Sequence, residues 1–232
     1  MRGVVEVADG VHQLTVHAGV NVVVVRDDDG VTLVDTSLDR PGLTARLAQL
    51  GIAPGDVTRV LLTHAHPDHT GGVARLRRAG CDAEVAIGAD EVAIVRGWAP
   101  VPPAELGAAR LLTRLPVPGA WGRTITVPRA QGLTDGQELA IAGGLQVIAT
   151  PGHTVGHVAF HLPAHDLVIG GDVVFNVFTL RPSPAFLCWR TAPNLASVAR
   201  LAELGTSRLA LAHGRPVLDD AAGRLAALVD AG

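Results

Sequence analysis

The chain has no lysine and no tyrosine, two cysteines, and only four phenylalanines and three tryptophans in 232 residues. All 19 basic residues are therefore arginine, and the net charge is −3. The arginines are scattered, with Arg75, Arg77 and Arg78 the one small cluster. A nucleic-acid surface needs a basic stripe that tracks phosphates, and none is present. Cys81 and Cys188 lie far apart and outside any C-x-x-C pattern, which excludes a disulfide framework and a zinc-finger type of site. No apolar run approaches the ~18 residues of a membrane span. Glu6 stands where a signal peptide would have its apolar core, so no export signal is expected. These absences predict a soluble, cytoplasmic protein with neither a nucleic-acid nor a membrane partner; they leave the oligomeric state open.

The residues present predict a mixed α/β fold. With 48% hydrophobic residues the chain can bury a large core. Val11–Val16, Val20–Val25 and Val31–Asp35 are β-branched runs, and Asp27-Asp28-Asp29-Gly30 is a turn signal, so the chain opens as an antiparallel meander. Leu43, Leu47 and Leu50 share one face of a helix framed by Pro41 and Gly51. Strand, helix, strand and helix then follow at Thr58–Thr63, Val73–Ala79, Glu84–Ile87 and Ala89–Arg96. Residues 97–131 differ: they are rich in proline, hold Trp98 and Trp121, and predict an insertion or lid with a helix over Glu105–Leu115. A second meander (Glu138–Ile141, Leu145–Thr150, Val158–Leu162, Leu167–Ile169) precedes a helix at Asn194–Leu204, a strand at Arg208–Ala212 and a helix at Pro216–Val229. Strands followed by strand–helix alternation, twice over, suggest a duplicated sandwich with helices outside.

The chemistry concentrates in Thr63-His64-Ala65-His66-Pro67-Asp68-His69-Thr70-Gly71-Gly72, directly after the apolar run Val60-Leu61-Leu62. Neutral imidazole and carboxylate without thiolate are good ligands for divalent metals. His64 and His66 are two apart, so in extended chain they project to one side and can chelate one ion. Pro67 takes the chain out of the strand and turns Asp68 and His69 toward a second position. His153, Asp172 and His213 each follow a predicted strand and sit beside glycine, which lets backbone turn tightly near an ion.

The ordered set His64-x-His66-x-Asp68-His69, His153, Asp172 and His213 resembles the metallo-β-lactamase superfamily. Thr150-Pro-Gly-His-Thr-x-Gly-His157 and Gly171-Asp172 are most similar to its glyoxalase-II-like branch. The resemblance implies a single four-layer αββα domain over 1–232. It also implies two divalent ions, zinc first with iron or manganese as alternatives. His64, His66 and His153 would hold one ion, Asp68, His69 and His213 the other, and Asp172 would bridge them. The implied activity is a dinuclear hydrolase whose metal-bridging hydroxide attacks an ester, thioester, lactone or amide carbonyl, with Asp68 orienting the nucleophile or carrying its proton. The lack of lysine argues against the glutathione thioester of glyoxalase II proper. The family's acyl-homoserine lactonases usually carry tyrosine three residues after the bridging aspartate, where this chain has Phe175. The same fold also serves persulfide-dioxygenase-like iron oxidoreductases, and a metal-binding protein without catalysis is a third reading.

Phe175, Phe178, Phe186 and Trp189 cluster after Asp172 and suggest an apolar pocket wall. Of these, Phe178 and Trp189, with Phe175 and Arg181, are the expected substrate contacts; Arg190 is a further candidate for an anionic group. His157 is expected behind the ligands rather than among them. His12, His17 and His165 read as ordinary surface or turn residues.

Overall fold

A computed structural model describes residues 3–17, 19–105 and 126–231. Valine-rich chain builds the first sheet. Strands β1 (Val4–Ala8), β2 (Val11–His17), β3 (Val20–Asp27) and β4 (Gly30–Val34) form the antiparallel meander. β5 (Val57–Leu62), β6 (Glu84–Gly88) and β7 (Gln131–Leu133) extend it in parallel. A parallel neighbour needs a crossover, and α1 (Leu43–Gln49) supplies it between β4 and β5. After β5 come α2 (Pro67–Thr70) and α3 (Gly72–Arg78), and after β6 a 3-10 turn over Ala89–Glu91 runs into α4 (Val92–Val95).

The second sheet is built from β8 (Glu138–Leu139), β9 (Leu145–Ala149), β10 (Val158–Leu162), β11 (Leu167–Ile169) and β14 (Arg208–Ala210). Among the described residues its order is β14-β11-β10-β9-β8. β11 and β14 pair in parallel, joined through the small ribbon β12 (Val174–Phe175) with β13 (Arg181–Pro182) and helix α5 (Thr191–Glu203). Helix α6 (Ala221–Asp230) closes the described chain.

The alternation of side chains along β3 shows why the layers stack as they do. Val22 and Val24 pack with Leu43, Leu47, Val73 and Leu76 of the helices outside the first sheet. Val23 and Val25 face the other way, onto Leu145, Val147, Phe160, Leu162 and Leu167 of the second sheet. A strand buried on both faces needs a continuous apolar run, which Val22-Val23-Val24-Val25 is. A third cluster sets Ile148, Ala159 and Val168 against Val198, Leu201 and Leu225 of α5 and α6. The result is the four-layer αββα sandwich. Phe160 is fully buried at its centre, and its truncation to alanine would cost about 3–5 kcal/mol.

Several local details differ from the sequence expectation. The last helix begins at Ala221 rather than Pro216. Val217 is bonded to Leu209 through both its N–H and its C=O, so residues 216–218 extend the sheet edge before Asp220, at φ 47, turns the chain. Helix α5 begins at Thr191, three residues early, because Pro193 falls in the first turn where no intrahelical donor is needed. Strands β1, β7, β12 and β13 carry no strong periodicity and were not expected; the last two are two residues each. The helix expected over Glu105–Leu115 lies, from residue 106, outside the described residues, as does Trp121. Trp98 is exposed, with the Arg96 guanidinium 4.9 Å from its ring centroid. Both cysteines are free and buried. No helix among the described residues is long and apolar enough to cross a membrane.

Candidate metal centre

Strand ends deliver the site. Parallel β4 and β5 end side by side, and the residues just beyond them interlock. Asp35 Oδ1 accepts the Thr63 amide at 2.8 Å, and the Thr63 hydroxyl lies 3.1 and 2.9 Å from the two Asp35 oxygens. The chain then runs through His64, and Pro67 opens the single turn α2 with His66 as its N-cap. That reversal carries Asp68 and His69 away from the line of His64 and His66. From the second sheet, His153 follows β9, Asp172 follows β11 and His213 follows β14. Ligands gathered at the carboxyl ends of strands are the common arrangement in α/β sheets.

Two groups of ligand atoms result. His66 Nδ1 lies 2.9 Å from His64 Nε2 and 3.0 Å from His153 Nε2. Asp68 Oδ2 lies 3.7 Å from His69 Nε2 and 3.5 Å from His213 Nε2. One atom faces both groups: Asp172 Oδ2 is 3.5 Å from His69 Nε2, 3.4 Å from His153 Nε2 and 3.4 Å from His213 Nε2. Within each set of three, His64–His66–His153 and Asp68–His69–His213, the ligand atoms lie within 4.8 Å of one another.

The far ring nitrogens explain which nitrogen points inward. His64 Nδ1 meets the Thr63 hydroxyl at 3.0 Å, His69 Nδ1 meets Asp35 Oδ2 at 2.8 Å, and His153 Nδ1 meets the Ser183 hydroxyl at 2.9 Å. Partners of this kind hold a ligand ring in one tautomer and orientation. The His213 loop is held from the first sheet. Buried Gln13 accepts the Leu211 amide at 2.9 Å and donates to Gly214 O at 3.0 Å, while Asn21 donates to Leu211 O and Gly214 O, both at 2.8 Å.

The electrostatics divide the ligands in two. Burial lowers the pKa of His64 and His153 well below the ordinary imidazole value, which keeps their lone pairs free. Burial also acts on His69, but the charges of Asp35, Asp172 and Asp68 outweigh it and raise that pKa well above the ordinary value. His213 is raised to about 9 against burial, chiefly by Asp172. Burial pushes Asp68 up, yet His69 and His213 hold it at about 2. The pull that these carboxylates exert on a proton is the pull they would exert on a divalent cation. His69 Nε2 and Asp172 Oδ1 are buried and have no hydrogen-bond partner among the described residues. Unsatisfied buried polar atoms of this kind need an explanation, and a nitrogen-and-oxygen donor set fits divalent metal.

The Metallo-beta-lactamase superfamily model matches residues 17–213. The chain belongs to the metallo-β-lactamase superfamily. It is 30% identical over 211 residues to the uncharacterized protein YobT of Bacillus subtilis (strain 168), covering 84% of this chain and 83% of that one. It is 33% identical to the hydroxyacylglutathione hydrolase of Albidiferax ferrireducens over 82% of this chain, but spans only 60% of that relative. Among solved structures it is similar to a metallo-beta-lactamase family protein from Thermus thermophilus, with a TM-score of 0.73 and 28% identity, over 97% of this chain and 80% of that one. The glyoxalase-II-like branch is thus represented among the relatives of this superfamily member.

The expected substrate residues scatter. Phe175 is nearly buried and its ring centroid lies 4.8 Å from that of His213 and 6.4 Å from that of His153. Trp189 reaches the site through its backbone, donating to His153 O at 2.8 Å. Phe178, 84% exposed, and Arg181 sit on the surface of the β12–β13 ribbon, and Arg190 is an exposed cation over the Trp189 ring. His157 is bonded on both ring nitrogens beside the candidate ligands. Its Nδ1 pairs with the Thr150 hydroxyl at 2.8 Å, its Nε2 accepts the Asp172 amide at 3.1 Å, and burial lowers its pKa to about 3. Asp35, Ser183, Gln13 and Asn21 were missed. Asp35 carries the same signal as the ligands, a polar residue directly after a buried strand. Gln13 and Asn21 are polar residues set among apolar neighbours in β2 and β3.

Proposed function

We propose that this protein is a dinuclear metal-dependent hydrolase of the ester, thioester or lactone carbonyl of a small molecule. The observation that carries the reading is the position of Asp172 Oδ2, within 3.5 Å of histidine nitrogens from both ligand groups. On this reading His64, His66 and His153 would hold one ion, Asp68, His69 and His213 would hold the second, and Asp172 would contribute to both. Zinc is the expected ion, with iron or manganese as alternatives for an all-nitrogen-and-oxygen set. Divalent ions supply Lewis acidity toward a carbonyl and lower the pKa of water.

The chain's own residues do the rest. Asp68, held ionised by His69 and His213, offers a carboxylate that would orient the nucleophile. Phe175 places an apolar face against the His213 ring and excludes water on that side. A relative named for hydroxyacylglutathione hydrolysis supports a thioester among the candidate substrates, although the absence of lysine leaves this chain without one kind of anion contact.

The test is metal analysis of the unsupplemented protein coupled to turnover on a panel of ester, thioester and lactone substrates. About two ions per chain and hydrolysis that is lost in Asp172→Ala and His66→Ala are expected. Oxygen consumption without hydrolysis would assign the oxidoreductase reading instead. Tight metal without turnover would leave a metal-binding protein.

A further inference from the structure

Glu91 carries a buried carboxylate that the chemistry above does not use. It ends the 3-10 turn after β6 and is 1% exposed. Its Oε2 accepts the amide of Ala65 at 3.0 Å, and its Oε1 accepts the amide of Gly156, also at 3.0 Å. Ala65 lies between His64 and His66. Gly156 lies three residues after His153 and directly before His157. The two amides belong to loops that rise from different sheets, β5 in the first and β9–β10 in the second.

Two glycines make this contact possible. A Cβ at Gly88 would fall 2.1 Å from Gly156 O, and one at Gly156 would fall 2.8 Å from Asp90 Cβ and 2.9 Å from Glu91 Cγ. The backbones therefore approach more closely than side chains allow. A carboxylate taken from water is costly unless both oxygens are used, and here each oxygen receives one amide of one loop. Bonds from amides to an ionised acceptor are among the stronger kind.

We propose that Glu91 is a positioning residue for the three-histidine site, one carboxylate that sets the spacing between the loop of His64 and His66 and the loop of His153. The proposal rests on the reading of that cluster as a metal site. A neutral amide in its place accepts one N–H and turns its own NH2 against the other, so one loop is released while the volume is kept. The second group, Asp68, His69 and His213, hangs on Asp35, Gln13 and Asn21 instead, so the effect falls on one ion of two.

The experiment compares the zinc-loaded full chain with Glu91→Gln. Zinc release to a chromophoric chelator is followed together with hydrogen exchange at the Ala65 and Gly156 amides. One of two zinc equivalents is expected to leave about tenfold faster or more, the other at the parent rate, with faster exchange at one or both amides. A Glu91→Gln protein that unfolds more easily, yet releases both equivalents within about twofold of the parent, overturns the proposal and leaves Glu91 a packing residue. If Glu91→Gln does not fold, Glu91→Asp takes its place under the same criteria, because it keeps the charge but is one methylene short of spanning both loops. A parent chain that retains no zinc overturns the metal-centre reading and this proposal with it. A parent that holds two equivalents while the variants match it overturns this proposal alone.

Discussion

The Nδ1 atom of His69 lies 2.8 Å from Oδ2 of Asp35, two residues 34 apart in the chain. Asp35 also takes the amide and hydroxyl of Thr63, so one carboxylate sets both the end of β5 and the ring of a candidate ligand. It does so from a left-handed backbone, φ 63, which asparagine tolerates and most residues do not. Asp35→Asn is therefore expected to fold and to lose about 10–100-fold in affinity for divalent metal at the candidate site of Asp68, His69 and His213. Competition against a chelator of known affinity measures it. Parent-like affinity in the variant would show that the carboxylate only braces Thr63.

Gly171 precedes Asp172 at φ 55, and a Cβ there would fall 2.6 Å from His157 Nε2 and 2.9 Å from Thr63 Cβ. Neither neighbour is a flexible tip, since both are fully buried. Gly171→Ala adds left-handed strain of about 1–2 kcal/mol and displaces the aspartate that faces both ligand groups. A displacement approaching an ångström costs on the order of 10²-fold in rate. kcat/KM on the best substrate of the panel is expected to fall by about that factor while thermal unfolding shifts by only a few degrees. Unchanged kcat/KM would mean that Asp172 does not need this exact placement.

The contrast between Gly171 and Gln13 shows what a sequence displays and what it hides. All seven candidate ligand residues stand out in the sequence, because they pair an unusual residue type with a position just past an apolar strand. The sheets were legible for the same reason, in runs such as Val20–Val25. Partners that act across the fold left weaker marks. Gln13 grips a loop 201 residues away, and nothing near it in the chain hints at that contact. Glu91 reads as a helix-side acid until the second sheet arrives beside it. Short pieces such as β7, β12 and β13 exist because neighbouring strands recruit them, so local periodicity could not reveal them.

Asp135 ties helix α5 to the edge of β9. It accepts the Ala149 amide at 2.8 Å and faces Arg200 at 2.9 Å. Burial works against its ionisation, but the Arg200 and Ala149 hydrogen bonds outweigh it and hold the pKa below the ordinary carboxylate value. A depressed carboxylate pKa adds stability that is present above the unfolded-state value, near 3.9, and is lost as pH falls through the folded-state value. Both side chains are half exposed, so the contribution is under about 1 kcal/mol and is screened by salt. Urea unfolding of Asp135→Asn is expected to show this small deficit at neutral pH and to lose it once acid has protonated the carboxylate of the folded parent. A deficit that persists in acid would assign the effect to hydrogen-bond geometry rather than charge.

Phe175 and Phe178 stand three residues apart on one ribbon in opposite situations. Phe175 is 8% exposed against the ring of His213, whereas Phe178 is 84% exposed. Shortening Phe175 to leucine opens space beside the ligands without removing a polar group, so metal content should stay at the parent level while KM rises severalfold. Unfolding free energy should fall by about 1 kcal/mol, as for other changes of shape in a packed core. Phe178 is 84% exposed, so Phe178→Ala should leave stability within about 0.5 kcal/mol, and any rise in KM in that variant reports contact with substrate itself. The decisive measurement is KM for two substrates that share a scissile bond but differ in acyl length. If Phe175 forms the wall, Phe175→Leu weakens the longer one less than the shorter. Equal changes for both would remove Phe175 from the substrate pocket and leave it as packing for His213.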